Sequence, residues 1–416
     1  MKLNKIPNIS FVVEHDLCTG CGICVNSCVS RAIVMSVKKG RFLPSVNKEN
    51  CKNARGCHRC LDTCPGIGVD LIGLSEKFFL SNDTKNDVLL GRYLKSYMGY
   101  SEDFNIRNDS SSGGLVSRFL IWLLENNIID GAVVTRFEKK NPLKVESFIA
   151  TNKEDILSAK GSKYSPVSFH KVLTEVKESN LNRIVIVGLP CHIHGLRKVL
   201  LRDKKMESKI IGLFSLFCSG SQTINYTDYI LRQCGGDINN LDYLAYREGS
   251  PTGMLAHGNG YNIFCEYHKY NVPMKGIFYP RRCLLCVDMF GELADLSFGD
   301  IMIEDTRYAG SGIGAIIARN PKWLDKLLIA SDKGVIHLEE ISKDALLYKR
   351  PMAIIKKARN ASFVLLLKLF KKKVPKYDSS FLGKISFSIC VHYFIMRIKQ
   401  FLGNHKTLWF LLPKIK

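Results

Sequence analysis

Several common features are missing from this chain, and each absence excludes a class of protein. Its 416 residues include only 38 Asp and Glu beside 60 Lys and Arg, a formal net charge of +22. No apolar run spans a bilayer comfortably, and no G-x-G-x-x-G follows a strand-like segment. No helix-turn-helix, zinc-finger or RNA-recognition signature accompanies the positive charge, so no nucleic-acid partner is expected. The charge instead predicts an acidic electron carrier, a phosphorylated cofactor or an anionic membrane face as the partner.

The beginning of the chain lacks the marks of a secretory signal. Only a short apolar run, Ile9 to Val13, follows the first residues, without a signal-peptide core or cleavage site. We therefore expect a cytoplasmic protein, in which disulfides are rare. The 15 cysteines must then have another explanation. The length predicts two or three domains.

Eight of the cysteines lie near the amino end in two runs. The first run, C-x2-C-x2-C-x3-C, has the spacing of bacterial two-cluster ferredoxins, and the second, C-x5-C-x2-C-x3-C-P, shares its last two intervals. In such proteins the last cysteine of each run binds the other cluster. The spacing therefore predicts two 4Fe–4S clusters, one held by Cys18, Cys21, Cys24 and Cys64 and the other by Cys28, Cys51, Cys57 and Cys60.

Two departures from the ferredoxin pattern affect these runs. Val29 stands where a proline usually follows the first run, and the second run opens with a five-residue insert, 52–56, that weakens the assignment of Cys51 as a ligand. The main alternative is zinc bound by C-x2-C pairs, with His58 as a further candidate ligand. Because three cysteines at two-residue intervals crowd one tetrahedral ion, we favour clusters.

The pattern of the chain changes after the cysteine runs. Residues 8–75 are predicted to form the two-cluster ferredoxin domain, and a polar connector follows over 76–92. Strand-like runs then alternate with small-residue turns and helical periodicity, which is typical of α/β domains. We predict an α+β ferredoxin-like two-cluster head followed by an α/β body, with strands at Ala32–Val37 in the head and Ala132–Val134, Arg183–Val187 and Ile210–Phe217 in the body, and body helices over Leu115–Leu124 and Ile193–Leu201.

Four further cysteines stand at predicted turns of the body. Two end predicted strands, where ligands collect in open α/β sheets, and two form a C-x2-C pair. A third 4Fe–4S cluster is one interpretation and buried, inert cysteine is the other, and spacing alone does not decide between them. The four candidates are Cys191, Cys218, Cys283 and Cys286, whereas Cys234, Cys265 and Cys390 are interpreted as inert.

Six motifs of the body occur in a fixed order: Ser111–Gly114, Gly161–Tyr164, Gly188–Arg197, Phe217–Gly220, Arg282–Asp288 and Ala294–Asp300. Together they resemble the family of coenzyme F420 hydrogenase/dehydrogenase beta subunits. The resemblance covers about residues 10–350, and it implies an N-terminal flavoprotein region at 90–175 and a C-terminal flavin and iron–sulfur region at 176–350. It also implies that the α/β body is a flavin-binding body, with FAD beside a 4Fe–4S cluster, and it favours the four turn cysteines as ligands.

The implied flavin site must be of an unusual kind, because the nearest glycine-rich match, Gly310–Gly314, is interpreted as a plain turn. Serines and glycines before the helix at Leu115 could cradle a pyrophosphate with exposed amides, and a simple N-cap is the alternative. Lys163 could pair with phosphate or stabilise a reduced, anionic flavin, or could be a solvated lysine. The predicted cofactor-binding residues are Ser110, Ser112, Gly113, Gly114, Ser162, Lys163, Tyr164, Gly299 and Asp300.

Three residues are candidates for catalysis. His192 and His194 flank Cys191, and a histidine can deliver a proton near neutral pH. Packed or surface histidines are the commoner case. Lys163 is the third candidate.

The last part of the chain, 356–416, is basic and amphipathic. An apolar, aromatic stretch over Ile385–Ile398 begins after Lys384 and includes Arg397. Such a segment could lie on the inner membrane face, or it could form a helix pair packed on the body with its lysines outward.

These observations predict an iron–sulfur flavoprotein oxidoreductase. Electrons would pass between an acidic ferredoxin-type carrier, the clusters and FAD for the two-electron reduction or oxidation of an organic substrate. The resemblance leaves the substrate open, with coenzyme F420 or a step linked to surface-polysaccharide synthesis among the options. The alternatives are a non-catalytic electron-transfer subunit of a larger complex and a redox sensor or scaffold at a membrane.

Overall fold

The computed structural model of the protein describes residues 7–138, 141–249, 251–301, 312–378 and 383–415. The predicted turn at Gly310 and Ser311 lies outside these residues. Within them the chain forms a small head, a larger body built on one central sheet, and a carboxyl-terminal segment that contacts both.

The apolar runs of the body pair into one mixed sheet of eight strands. In sheet order these are β16 (Ile336–Glu340), β6 (Lys95–Ser101), β15 (Gly314–Ala318), β14 (Leu296–Asp300), β10 (Ile210–Leu216), β9 (Ile184–Gly188), β7 (Gly131–Glu138) and β8 (Asn141–Ala150). Strands β14, β10, β9 and β7 are parallel, and the other neighbours are antiparallel. The parallel strands are rich in Val, Ile and Leu because both of their faces are covered.

Helices cover both faces of this sheet. They are α5 (Phe104–Asn108), α6 (Leu115–Glu125), α7 (Lys153–Ser158), α8 (His170–Glu178), α9 (Pro190–Leu200), α10 (Lys204–Lys209) and α14 (Pro321–Asp332). On one face Phe119 of α6 and Trp323 of α14 pack against Phe214. On the other face Ile193 of α9 packs with Ile186. The prediction of an α/β body is confirmed in the coarse sense of a mixed α/β fold.

A second, three-stranded antiparallel sheet was not foreseen from the sequence. It consists of β11 (Leu241–Glu248), β12 (Gly253–Gly258) and β13 (Tyr261–Glu266), with helices α11 (Ile224–Gln233) and α12 (Tyr267–Asn271) beside it and the short helix α13 (Arg281–Leu284) after it. Its core is aromatic and includes Tyr226, Tyr246 and Tyr270. Its strands are interrupted by polar residues, so their alternation is weak as a sequence signal.

The head is built from short elements between cysteine loops. They are α1 (Ile9–Glu14), α2 (Ile23–Asn26), β1 (Ile33–Lys38), β2 (Arg41–Val46), α3 (Arg59–Asp62), β3 (Gly68–Val69) and α4 (Leu71–Phe79). The predicted connector over 76–92 contains the end of α4 and a hairpin of β4 (Lys85–Asp87) and β5 (Gly91–Tyr93), and Arg92 pairs with Glu76 at 2.7 Å.

Close backbone contact joins the head to the body. The amide of Phe169 donates to the carbonyl of Cys21 at 2.9 Å. Gly22 has φ of +81°, and a Cβ there would lie 2.3 Å from the Ser168 hydroxyl, so only glycine fits this approach. A Cβ on Gly195 of α9 would lie 2.4 Å from Ile23. Small residues therefore let a cysteine loop of the head rest on the body.

The carboxyl-terminal segment is not separate from the rest of the protein. It contains α15 (Lys343–Lys349), α16 (Met352–Leu369), β17 (Lys376–Tyr377), α17 (Phe387–Asn404) and a 3₁₀ helix at Lys406–Leu411. Helix α16 is largely buried, and β17 pairs with β3 of the head. No helix among the described residues is both long enough and apolar enough to span a membrane. The domain boundaries given above stay predictions.

Candidate functional site

The candidate site lies at the carboxyl ends of the parallel strands. Strand β9 ends at Gly188 just before α9, β10 ends two residues before Cys218, and β14 ends at Asp300. Pro190 begins α9 because its missing N–H is not needed in the first helical turn. This edge of the sheet is where ligands bind in open α/β folds. It brings together the body cysteines and a large cavity.

The four turn cysteines of the body interact with one another. The thiol of Cys191, in the first turn of α9, interacts electrostatically with those of Cys218, Cys283 and Cys286. Burial and these neighbours raise the pKa of Cys191 well above its usual value. Burial also raises the pKa of Cys218 to about 12. Buried thiols with such pKa values stay protonated unless a positive charge, such as iron, stabilises the thiolate.

Two polar side chains of α16 contact the backbone of three of these four cysteines. The buried Lys356 amine donates to the carbonyls of Cys218 at 2.6 Å and Asp288 at 2.8 Å. Asn360, one turn later on α16, donates to the carbonyls of Cys286 at 2.7 Å and Cys283 at 3.2 Å. Neither residue was predicted from the sequence, because both stand in a basic segment. Their i, i+4 spacing among the buried residues of one helix was the available signal.

The head cysteines form two groups that cross between the runs. Cys18 interacts electrostatically with Cys64 and Cys21, and Cys24 interacts with these three and with Cys60. Cys60 interacts with the thiols at positions 28, 51 and 57. Apart from the interaction between Cys24 and Cys60, these interactions lie within the two sets that the spacing predicts, and Cys51 interacts within the second set; that these thiols bind clusters stays a prediction. Burial and neighbouring thiols raise the pKa of Cys18 to about 12.

Backbone amides donate to sulfur in both head groups. The amide of Gly20 lies 3.4 Å from Cys18 Sγ, that of Gly66 lies 3.3 Å from Cys64 Sγ, and that of Ala32 lies 3.3 Å from Cys28 Sγ. Such bonds stabilise negative charge on a ligand sulfur. Among the described residues, no three His, Cys, Asp or Glu side chains converge on a single-ion site. The thiols around a 4Fe–4S cube bind separate irons, so they need not converge in that way.

The body group and one head group are neighbours. Cys191 interacts electrostatically with Cys21 of the head as well as with the body thiols. Arg282, next to Cys283, donates to the carbonyls of Pro65 at 2.9 Å and Gly66 at 3.3 Å. The three groups of thiols thus follow one another from the insert in the head to the sheet edge in the body.

The three other cysteines lie apart from these groups. Cys234 and Cys265 are hydrogen-bonded to each other beside the small sheet, and Cys390 lies on α17.

A cavity of about 590 Å³ adjoins the body thiols. This volume lies within the range of small-molecule and cofactor sites. The cavity is lined by Cys218, by His192, and by predicted cofactor-binding residues, namely Ser110, Ser112, Gly114, Ser162, Lys163, Tyr164, Gly299 and Asp300. Of the predicted set only Gly113 is not part of the lining, although it lies in the same loop.

The loop of serines and glycines before α6, residues 110–114, has an unusual backbone, and we call it the serine–glycine loop. Ser112, Gly113 and Gly114 have φ values of +56°, +72° and +70°, followed by α6. A Cβ on Gly113 would lie 2.7 Å from the carbonyl of Gly312, and one on Gly114 would lie 2.7 Å from that of Ile106. Left-handed residues before a helix can turn successive N–H groups to one side and form an anion-binding concavity. The Ser111 hydroxyl lies 2.9 Å from that of Ser162, so the two motifs meet.

The charges around the cavity are mainly positive. Lys160, Lys163, Arg247, Lys275 and Arg350 line it, against one acid, Asp300. The two arginines were not predicted from the sequence, and one of them comes from the small sheet. Arg247 donates to Asp300 at 2.6 Å, and the Ser112 hydroxyl donates to the same carboxylate. Burial would raise the pKa of Asp300, but Arg247 and Ser112 keep it below the usual value.

Several buried polar atoms at the cavity have no hydrogen-bond partner among the described residues. They are Ser110 Oγ, Gln222 Oε1, Arg247 Nε and Arg350 Nε. Orphaned buried groups are costly, so they mark places where a ligand is expected. Two guanidinium donors, one hydroxyl and a loop of left-handed residues fit a group with phosphate oxygens. The residues present therefore fit FAD.

Lys163 contributes charge to the cavity rather than free hydrogen-bond donors. Its amine donates to the carbonyls of Ala159 at 2.5 Å, Lys160 at 2.7 Å and Gly161 at 3.0 Å. Burial lowers the pKa of Lys163 to about 7. Its charge near neutral pH therefore depends on what occupies the cavity.

The two histidines have different surroundings. His192 Nδ1 accepts from the Leu189 amide at 3.1 Å, its Nε2 lies 3.3 Å from the Val167 carbonyl, and its ring stacks on Phe169. Burial lowers the pKa of His192 to about 4, so the ring is neutral. His194 lies outside the lining and pairs with buried Asp288 at 2.7 Å. Proton transfer by His192, His194 or Lys163 stays a prediction.

The sequence of the chain is similar to those of known proteins. Two family models describe the coenzyme F420 hydrogenase/dehydrogenase beta subunit: the model of its N-terminal part matches residues 96–174, and the model of its C terminus matches residues 181–344. A coenzyme F420-dependent sulfite reductase of Methanocaldococcus jannaschii is 28% identical over 82% of this chain, which spans only 49% of that protein. One of the subunits of the F(420)H(2) dehydrogenase of Methanosarcina mazei is 27% identical over 72% of this chain and 80% of its own length.

A solved structure shares the fold. A chain of the F420-reducing [NiFe] hydrogenase complex from Methanosarcina barkeri, studied by xenon derivatization, aligns with a TM-score of 0.55 at 22% identity. The alignment covers 70% of this chain and 98% of that one.

Proposed function

Because the chain belongs to the family of coenzyme F420 hydrogenase/dehydrogenase beta subunits, we propose that it is an iron–sulfur flavoprotein oxidoreductase. It exchanges electrons between a ferredoxin-type carrier and an organic substrate in the cytoplasm. Two 4Fe–4S clusters belong to the head thiols, a third belongs to the body thiols, and FAD belongs in the cavity. Coenzyme F420 is one candidate substrate, and a step in surface-polysaccharide synthesis is another.

One observation carries this proposal: a single cavity is lined both by Cys218 of the body thiols and by the serine–glycine loop. A group bound in the cavity would therefore lie next to a group held by the thiols. When bound, clusters exchange single electrons and a flavin exchanges two, which would connect a one-electron carrier to a two-electron organic reaction. The neighbouring thiol groups of the head and body support a continuous route for such exchange.

The residues of the chain have distinct tasks in this proposal. Arg247, Arg350 and the amides of the serine–glycine loop hold the phosphates of FAD, and Asp300 orients Arg247. Lys356 places a buried positive charge beside the body thiols, which favours the more negatively charged, reduced state of a cluster there. Amide donors to the head sulfurs act in the same direction.

The insert in the second cysteine run supports docking of an acidic carrier at the head. Residues Lys52–Arg55 form a 3₁₀ helix whose residues are largely exposed, directly between Cys51 and Cys57. Arg59 is exposed on α3, beside Cys60. Positive charge next to the outermost thiol group is what an acidic electron carrier would recognise.

A second candidate function is electron transfer within a larger complex, with catalysis on a partner chain. Its support is that relatives are named as subunits of F420H2 dehydrogenase and F420 hydrogenase. In that case the purified chain alone would bind clusters and flavin but would show no turnover with any electron acceptor of low molecular weight.

The proposal is tested by anaerobic purification of the full chain after cluster reconstitution. We expect about twelve irons and about one FAD per chain, with broad absorbance that bleaches on dithionite addition. About eight irons without flavin would contradict the body site while leaving the head intact. A colourless protein would contradict the whole proposal.

The pKa of Lys163 makes flavin affinity depend on pH. The pKa is about 7 without a ligand because the amine is buried, and bound phosphate raises it by stabilising the charged form. Affinity should therefore fall as pH rises from about 6 to about 9, by up to tenfold for each unit by which phosphate raises that pKa. Fluorescence titration with FAD measures this.

The variant Lys163→Met should bind flavin more weakly at about pH 6 and show a flatter pH profile. Lys177→Met, whose amine pairs with Asp203 away from the cavity, is the matched control and should keep the wild-type profile. An unchanged slope in Lys163→Met would show that another group causes the pH dependence.

A further inference from the structure

The carboxyl-terminal helix α17 is fixed to the protein by one face. Met396, Gln400 and Gly403 are its buried residues. The Gln400 amide donates to the carbonyl of Tyr279 at 2.9 Å, and a Cβ on Gly403 would lie 2.7 Å from the carbonyl of Ile277. The spacing of four and three residues places these contacts on one side of the helix. The orientation of the opposite side is thereby fixed as well.

The opposite face of α17 is apolar and exposed. Its residues are Phe387, Val391, Phe394, Ile395, Ile398 and Phe401, with exposures of 85%, 40%, 67%, 46%, 46% and 55%. Their spacing of three and four residues forms one stripe, about 21 Å long at 1.5 Å per residue. We call this stripe the outer face of α17. Apolar patches of this kind on a folded chain usually mark an interaction site.

The carboxyl-terminal segment exposes further apolar side chains on the 3₁₀ helix after α17 and at the end of α16. Phe410 and Leu411 are 76% and 57% exposed on the 3₁₀ helix after α17. Leu369 and Phe370 are 68% and 67% exposed at the end of α16. All of these exposed apolar side chains lie after residue 344, where the match to the family models ends. The surface that they form is therefore a feature added to the matched part of the chain.

The charge of the segment identifies the chemistry of its partner. Residues 351–416 contain 14 Lys and Arg and a single acid, Asp378, so they carry +13 of the formal +22. Lys371, Lys372 and Lys373 are exposed directly after Leu369 and Phe370. A second copy of the chain would bring two such positive segments together and would be repelled. A surface that is both apolar and anionic can bury the apolar stripe and also pair with the lysines.

We propose that the outer face of α17 and the adjoining lysines bind the surface of an anionic lipid bilayer. The helix lies in the interface, its phenylalanines and isoleucines enter the boundary between headgroups and acyl chains, and the lysines contact anionic headgroups. Nothing in this arrangement requires a spanning helix. The protein would thus carry out its chemistry while resting on a membrane.

The proposal is tested by co-sedimentation of the full-length holoprotein with lipid vesicles. We expect binding to vesicles of phosphatidylcholine with about one third phosphatidylglycerol, weaker binding to phosphatidylcholine alone, and loss of the difference at high salt. The double variant Phe387→Ser/Phe394→Ser should lower the partition coefficient more than about tenfold. Lys371→Gln/Lys372→Gln/Lys373→Gln should lower it on anionic vesicles by about fivefold for each lysine that reaches the surface.

Phe104→Ser is the matched control, because Phe104 is 73% exposed on α5, outside the segment. It should bind vesicles like the wild type, and every variant should keep its iron and flavin. The proposal is overturned if the wild type binds neither kind of vesicle, or if the Phe387→Ser/Phe394→Ser variant binds as well as Phe104→Ser. Concentration-dependent dimerisation that this double variant abolishes, without vesicle binding, would instead assign the face to a second copy.

Discussion

Replacing Cys191 with Ser is expected to remove about one third of the iron from the reconstituted protein, about four of about twelve atoms. Cys191 interacts with the three other body thiols and with Cys21 of the head, so the variant loses one ligand at the middle of the series of thiol groups. The two head groups do not contain Cys191 and should keep their clusters. Reduction of bound flavin by a reduced ferredoxin should fall by more than about a hundredfold because the intermediate carrier is missing.

Iron and sulfide analysis, with electron paramagnetic resonance of the dithionite-reduced protein, would measure this effect. The matched controls are Cys234→Ser and Cys390→Ser, which alter cysteines outside the three groups. Both should keep the full iron content and the rate of flavin reduction. If Cys191→Ser also kept all its iron, the body thiols would be inert and the electron route would have to be different.

Replacing Arg247 with Met is expected to weaken FAD binding by about tenfold to a hundredfold. The variant loses a buried guanidinium whose Nε has no partner among the described residues. It also leaves Asp300, which Arg247 contacts at 2.6 Å, as an uncompensated carboxylate facing the cavity. That carboxylate would repel the pyrophosphate.

Equilibrium dialysis of the flavin-free protein against FAD measures this affinity. Arg247→Lys should give an intermediate value, because it keeps the charge but not the planar pair of donors. Arg118→Met is the control, since Arg118 pairs with Glu125 on α6 and does not line the cavity. Equal affinities of Arg247→Met and Arg118→Met for FAD would show that the phosphates of FAD do not bind beside Arg247.

The secondary structure of the α/β body was largely predictable from local pattern. Strands and helices appear within one to three residues of most predicted ends, as in Ile184–Gly188 for Arg183–Val187. Helix α9 begins three residues earlier than predicted because Pro190 is favourable at the first helical position. The small sheet was missed because its strands combine polar and apolar residues without a clear period. That omission also hid Arg247.

The residues that line the candidate site or contact its cysteines were predicted unevenly for a physical reason. The serines, glycines and Lys163 stand in short motifs that a resemblance can identify, and the structure brings most of them to one cavity. Lys356 and Asn360 donate hydrogen bonds to carbonyls that are between 68 and 138 positions away in the sequence. The sequence around these two residues predicts only a basic amphipathic helix, so it gives no sign of those bonds.

The sequence by itself determined the two groups of head thiols, since one turn of backbone holds cysteines separated by two or three residues together, and the ferredoxin spacing predicts that the last cysteine of each run joins the other group. It also determined the alternation of strands and helices, because burial of apolar side chains follows local periodicity. Only the tertiary structure decided that Cys191, Cys218, Cys283 and Cys286 lie close together, that two arginines line the same cavity as the serine–glycine loop, and that α17 exposes an apolar stripe. These depend on which chain segments pack together, and such packing is set by the whole core rather than by any one stretch of residues.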